Sequence, residues 1–198
     1  MSAIETEVKF RVRDSVELEL RLEGAGFRRE TPRTFERNVL FDTPERRLRQ
    51  DRQILRIRQY GEKWVLTHKA LPTDGDTGLY KHRIETETIL GDGESVAAIF
   101  ASLGYLPAFT YEKYRTEWAD DLGHCVLDET PIGVFAELEG PEEWIDRMAA
   151  ALGVDRSELF NVSYGRMFEL WKEETGSPAN DLTFAAVGEV AVSGQLDF

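Results

Sequence analysis

Ile4-Glu5-Thr6-Glu7-Val8-Lys9-Phe10-Arg11-Val12-Arg13 is the stretch on which the fold turns. Its even positions are Ile4, Thr6, Val8, Phe10 and Val12. Its odd positions are Glu5, Glu7, Lys9, Arg11 and Arg13, all charged. A period of two with one apolar face and one ionic face predicts a strand. Outward along the chain the spacing predicts further strands over 35–42, 54–60, 63–69, 81–90, 110–118, 124–129 and 134–139. The 54–60 and 63–69 pair reads as a hairpin across Gly61-Glu62.

The punctuation between the strands predicts a few short helices. Asp14 and Glu17 supply a capping box before Val16, Leu18 and Leu22, with Gly24 and Gly26 as a stop. Helices are also predicted over 95–103, over 141–152 from Pro141 and its apolar stripe, and over 164–171. Many strands with short helices give an α+β, mainly antiparallel β architecture, a sheet or closed barrel with flanking helices. The polar loop 72–78 reads as mobile. Residues 1–175 read as one domain, and 176–198 as a tail that is disordered, plugs or lids the cavity, or pairs with a neighbouring chain.

Composition narrows the function. At 41% hydrophobic and 11% aromatic, the chain can fill a core. Its single cysteine rules out a disulfide framework or a Cys-based zinc site, and with no long apolar run or leader the expectation is a cytoplasmic protein without a membrane partner. The 24 basic and 37 acidic side chains give a net charge of −13. They are unevenly placed: residues 1–119 carry 20 of each sign, residues 120–198 carry 4 basic and 17 acidic. Such a field repels phosphate at long range, which argues against nucleic acid. Any anion must be caught by a local, shielded cluster, so a small polyanion is the expected ligand.

The same cluster is visible in the strands. Arg56 and Arg58 share a face, as do Lys113 and Arg115, Glu137 and Glu139, and Arg83, Glu85 and Glu87; Lys69 and Asp128 add one charge each on neighbouring strands. If the apolar face packs outward against helices, these ions line a lumen, where they persist only when paired or bound to a charged ligand. Carboxylates mixed with guanidinium and ammonium groups suit a polyphosphate arriving with Mg²⁺ or Mn²⁺.

Taken in order, Glu5-Thr-Glu7-Val-Lys9, Phe41-Asp42-Thr43-Pro44, Leu55-Arg56-Ile57-Arg58, Lys69, Arg83-Ile-Glu85-Thr-Glu87, Glu112-Lys113-Tyr-Arg115 and Gly133-Val-Phe135-Ala-Glu137-Leu-Glu139 resemble the CYTH superfamily, the triphosphate tunnel metalloenzymes. The resemblance spans about residues 3–172 and implies an eight-stranded antiparallel β-tunnel. It implies that Glu5, Glu7 and Lys9 are catalytic. Lys9, Arg56, Arg58, Lys69, Lys113 and Arg115 would hold phosphates, with Arg83 assisting. Glu5, Glu7, Glu137 and Glu139 would be metal ligands, with Asp128, Glu85 and Glu87 in support.

Two departures stand out. Asn38 occupies a position where the family often has an acid, and Asn161-Val162 precede Ser163-Tyr164 where a basic residue is usual; Arg166 is the candidate replacement. The implied activity is divalent-metal-dependent hydrolysis of inorganic triphosphate, thiamine triphosphate or a nucleoside triphosphate. The alternatives are a class IV adenylate cyclase and a non-catalytic polyphosphate-binding module. The expected partner is a small-molecule triphosphate, bound to a monomer or homodimer.

Overall fold

A computed structural model describes residues 3–72 and 78–188. The centre of the loop expected to be mobile (73–77) and the end of the tail (189–198) lie outside the described residues. Among the described residues, eight antiparallel strands close into a barrel in the order β1-β5-β4-β3-β2-β6-β7-β8. They are β1 (Ala3–Arg11), β2 (Arg28–Asp42), β3 (Ile54–Tyr60), β4 (Lys63–Ala70), β5 (Lys81–Leu90), β6 (Leu106–Ala119), β7 (His124–Thr130) and β8 (Gly133–Glu139). The expected α+β tunnel is the fold. Around it lie α1 (Ser15–Gly24), α2 (Arg47–Gln50), α3 (Gly93–Ser102), α4 (Glu142–Ala151), α5 (Tyr164–Thr175) and α6 (Phe184–Val187).

Closure depends on β1. Its residues 3–7 pair with β5 and its residues 7–11 with β8, so the strand crosses the seam obliquely. Beyond the end of β5 the backbone of Lys9 exchanges hydrogen bonds with Phe160 at 2.7 and 2.9 Å. Leu182 does the same for β6, donating to the Thr110 carbonyl and accepting from Glu112, both at 2.9 Å. Both short bridges satisfy backbone groups that staggered strands would leave open.

The apolar faces pack outward, as the alternation requires. Val8, Phe10, Trp118 and Leu138 meet Leu18 and Leu22 of α1 and Trp144, Ile145 and Ala149 of α4 in one buried cluster. Trp144 is wedged so closely that a Cβ on Gly123 or Gly140 would lie 2.7 or 2.8 Å from its ring. Truncating a buried indole of this kind costs about 3–5 kcal/mol. A second cluster joins α5 to Leu182 and to Tyr111 and Phe135, which share the inner parity of β6 and β8.

Two strand starts and one short helix differ from the sequence pattern for physical reasons. β2 begins at Arg28 rather than at 35, because register shifts against β6 around Thr31 blur the period of two. β6 begins at Leu106, tolerating Pro107 near its start. The basic run at 46–49 folds into α2, whose Leu48 and Arg49 amides donate to the Asp42 carboxylate at 2.9 and 3.0 Å.

Candidate functional site

The inner faces enclose a cavity of about 420 Å³ whose lining includes Glu5, Glu7, Lys9, Arg56, Arg58, Lys69, Glu85, Glu87, Lys113, Arg115, Glu137 and Glu139. Period-two alternation on six strands thus delivers its ions to one volume. The ions sort into two halves.

The carboxylate half is built on β1, β5 and β8. Glu7 stands directly opposite Glu139 across β1 and β8, and Lys9 opposite Glu137. Lys9 Nζ donates to Glu7 at 2.7 Å and lies 3.4 Å from Glu137. Lys69 Nζ reaches Glu5 at 2.5 Å and Glu85 at 3.0 Å. Burial opposes ionisation throughout, and neighbours decide each outcome. Glu7 is held well below the usual carboxylate range because Lys81, Lys9 and Lys69 together outweigh burial. Glu137 is drawn down to about 2 against burial by Lys9 and Arg115. Glu85 is pushed up to about 8, by burial first and then by Glu5, against the pull of Lys69. Glu139 is pushed up to about 7 by burial and the charges of Glu5 and Glu7.

The cationic half is built on β3, β2, β6 and β7. Arg115 is bidentate on Asp128 at 2.7 and 2.6 Å, and Lys113 reaches the same carboxylate at 2.8 Å. Tyr164, the first residue of α5, donates its hydroxyl to Asp128 at 2.7 Å. Lys113 Nζ also sits 4.8 Å from the centre of the Tyr164 ring. Arg56 donates to Tyr111 Oη at 3.0 Å and Thr67 Oγ1 at 3.1 Å. The Nε atoms of Arg56 and Arg58 are buried without a hydrogen-bond acceptor. Buried charge-bearing donors in that state are rare in a folded protein and fit an anion.

Several residues sit otherwise than their spacing alone conveyed. Asp128 is fully buried and belongs to the cationic half as a counter-ion of Lys113 and Arg115. Glu87 accepts from Thr67 Oγ1 at 2.6 Å and lies 3.5 Å from Arg56. Arg83 shares the inner parity of β5, opposite Glu5, and donates to the His82 carbonyl at 2.7 Å. Arg166 does not replace the missing base beside Ser163: it is exposed and paired with Glu169 and Glu173 at 3.2 and 3.6 Å.

The acid looked for at Asn38 is present one pleat earlier. Glu36 is fully buried, 3.5 Å from Lys113 and 3.7 Å from Arg58, and accepts from Asn38 Nδ2 at 2.8 Å. Burial would neutralise it, but Lys113, Arg58, Arg115 and Arg56 hold it well below the usual carboxylate range. Sequence reasoning missed Glu36 because the next residues of its parity on β2, Asn38 and Leu40, are uncharged, so no like-charged pair marks it. It also missed Lys81, Tyr111 and Tyr164. Lys81 carries the parity of Arg83, Glu85 and Glu87, so an extension of that run by one step finds it. The other two are aromatic and resemble core.

The inner face is not ionic throughout. Leu40 pairs with Phe109 across β2 and β6, Ile54 lies two residues before Arg56, and all three line one end of the cavity. Rings stack from the lumen outward, Tyr164 on Tyr111, Tyr111 on Phe109, Phe109 on Phe168 and Phe168 on Trp171, with centroids 5.8–6.0 Å apart.

The family model of the CYTH domain matches residues 3–151. The chain belongs to the CYTH family. A Methanocaldococcus jannaschii protein named a putative adenylate cyclase is 28% identical over 137 residues, covering 69% of this chain and 76% of that protein. Two solved structures share the CYTH fold. A Vibrio parahaemolyticus protein described as a putative adenylate cyclase superposes with a TM-score of 0.74 at 18% identity, covering 85% of this chain and 99% of the other. A Hippeastrum protein described as a putative adenylyl cyclase with a dominant triphosphatase activity superposes with a TM-score of 0.61 at 18% identity, covering 85% and 95%.

Proposed function

We propose that this CYTH domain binds a triphosphate in its tunnel together with a divalent cation, Mg²⁺ or Mn²⁺, and hydrolyses it. The observation that carries this reading is the division of one closed cavity into facing cationic and carboxylate halves, with the guanidinium Nε atoms of Arg56 and Arg58 lacking acceptors. A polyphosphate supplies acceptors to the first half and, with its cation, relieves repulsion in the second.

The donor chemistry fits such a cation. Glu5, Glu7, Glu137 and Glu139 offer only oxygen ligands from two neighbouring strands, and Glu85 and Glu139 are raised by burial first and then by neighbouring glutamates whose repulsion a dication would relieve. Among the described residues no three such side chains converge closely enough to hold a metal as they stand. Lys9 and Lys69 lie between them. Those flexible ammonium groups can turn toward phosphate when substrate and cation enter.

Phosphoryl transfer spreads negative charge over non-bridging oxygens, so the protein's task is positioning and electrostatics. Arg56, Arg58, Lys113 and Arg115 would hold those oxygens, with Asp128 and Glu36 fixing the cations' orientation. Lys9, between Glu7 and Glu137, would carry charge that develops at the reacting phosphate. The dication would supply charge neutralisation and make a nearby water more acidic.

The apolar end favours a triphosphate that carries a flat ring. Leu40, Ile54 and Phe109 would contact such a group while the phosphates run toward Arg56. That observation also keeps a second reading, cyclisation of ATP to cyclic AMP and pyrophosphate. The deciding experiment incubates the protein with ATP, thiamine triphosphate and inorganic triphosphate under Mg²⁺ or Mn²⁺ and identifies every product. Orthophosphate from any of them supports hydrolysis; cyclic AMP with pyrophosphate transfers the case to the cyclase. Binding without turnover of all three refutes both. Phe109→Ala should raise KM about tenfold for the ring-bearing substrate and leave inorganic triphosphate unchanged, in line with stacking worth about 1–3 kcal/mol.

A further inference from the structure

Lys81 has no place in the site as the sequence presents it, yet it lies at the centre of the carboxylate half. It is the direct cross-strand partner of Glu7 on β5. Its Nζ donates to Glu7 Oε1 at 2.6 Å, the same oxygen that accepts from Lys9 at 2.7 Å. All three side chains are nearly excluded from solvent, with exposures of 14% for Lys81, 7% for Glu7 and 3% for Lys9. Two ammonium groups on one oxygen of a single buried carboxylate is more positive charge than that carboxylate needs.

The other acids of this half differ. Glu5 and Glu85 share one ammonium, that of Lys69. Glu139 faces Glu7 directly across β1 and β8. Glu137 has Lys9 and Arg115 at 3.4 Å, one on each oxygen, whereas Glu7 takes two ammonium groups on a single oxygen, one of them from outside the β1 signature, at the start of the next strand across the seam.

Resting on the reading of the tunnel as a metal and triphosphate site, we propose that Lys81 is a resident cation that occupies Glu7 and so lowers the number of divalent ions the carboxylate half accepts. A cross-strand lysine is tethered at a fixed register, so it neutralises Glu7 with no loss of translational freedom each time. A dication that uses Glu7 beside Glu5, Glu137 and Glu139 must then compete with Lys81 for it. Lys81 is therefore a positioning and specificity residue that acts through Glu7.

The test is uptake of Mn²⁺ alone, followed by titration calorimetry and by the electron spin resonance of free Mn²⁺, in the wild type and in Lys81→Met, Lys81→Gln and Lys81→Arg. Removing the charge should add one Mn²⁺ per chain or tighten Mn²⁺ binding about tenfold, the scale of one unit charge withdrawn from a few ångströms in a partly screened cavity. Lys81→Arg should behave as the wild type. Lys81→Gln keeps a hydrogen-bond donor for Glu7 and serves where Lys81→Met does not fold. Unchanged count and affinity in the charge-free variants overturn the proposal, as does loss of Mn²⁺ binding in a folded one. Wild-type triphosphate turnover is scored separately: its absence refutes the enzymatic reading, whereas gain of Mn²⁺ on charge removal still speaks for Lys81.

Discussion

The two halves of the tunnel use the same residue types to opposite ends. In the cationic half each acid is fully buried among cations: Asp128 receives Lys113, Arg115 and Tyr164, and Glu36 accepts from Asn38 with Lys113 and Arg58 at 3.5 and 3.7 Å. Its cations hold the Glu36 carboxyl well below the usual carboxylate range. In the carboxylate half, acids outnumber ammonium groups, and burial with mutual repulsion drives Glu85 to about 8 and Glu139 to about 7. One half has cations in excess, with the Arg56 and Arg58 Nε atoms still open to an acceptor, and the other has acids in excess. Position around the barrel, and hence which strands abut, separates them; composition does not.

Breaking the cationic half should cost most. Asp128→Ala leaves Lys113 and Arg115 buried with less counter-charge and strips the Tyr164 hydroxyl of its acceptor, so urea unfolding should report a loss of about 3–5 kcal/mol. The matching change across the cavity, Glu139→Gln, removes a charge that its neighbours repel. At pH 8 its melting temperature should equal or exceed the wild type's, while metal-supported turnover falls about a hundredfold. A Glu139→Gln protein that melts well below the wild type would erase the contrast.

A smaller effect sharpens the comparison through pH. Glu85 and Glu139 keep their protons in the folded chain up to about 8 and 7, whereas an ordinary carboxyl releases its proton near 4.5. Over that interval the folded state binds more protons than the unfolded one, so their contribution to stability declines as pH rises from about 5 to 8. Glu7, Glu36 and Glu137, held low, contribute stability that is lost as pH falls below about 4.5. The metal-free protein should therefore melt highest near pH 5, and millimolar Mg²⁺ should flatten the alkaline limb. A melting temperature that climbs steadily to pH 8 without metal would contradict the raised carboxyls.

Much of this was legible in the sequence because strand alternation is a local property. Lys81–Leu90 matched its strand end to end, and Glu5, Glu7, Arg56, Arg58, Lys113 and Arg115 reached the lumen as their parity required. Where a bulge interrupted the period, as near Thr31, the strand start was lost. Glu36 escaped because one ion among neutral neighbours makes no pattern. Arg166 misled because a helix residue follows a different period, which turned it toward Glu169 and solvent.

By itself the sequence determined which side chains share a face, since a period of two is written into ten consecutive residues. It also determined that an ionic face needs a common cavity, because so many buried charges demand partners. Only the tertiary structure decided which ions meet. Glu7 finds Lys81, 74 positions away, and Glu139 because the barrel closes obliquely through β1. Stagger and closure belong to the whole sheet, and no single strand encodes them.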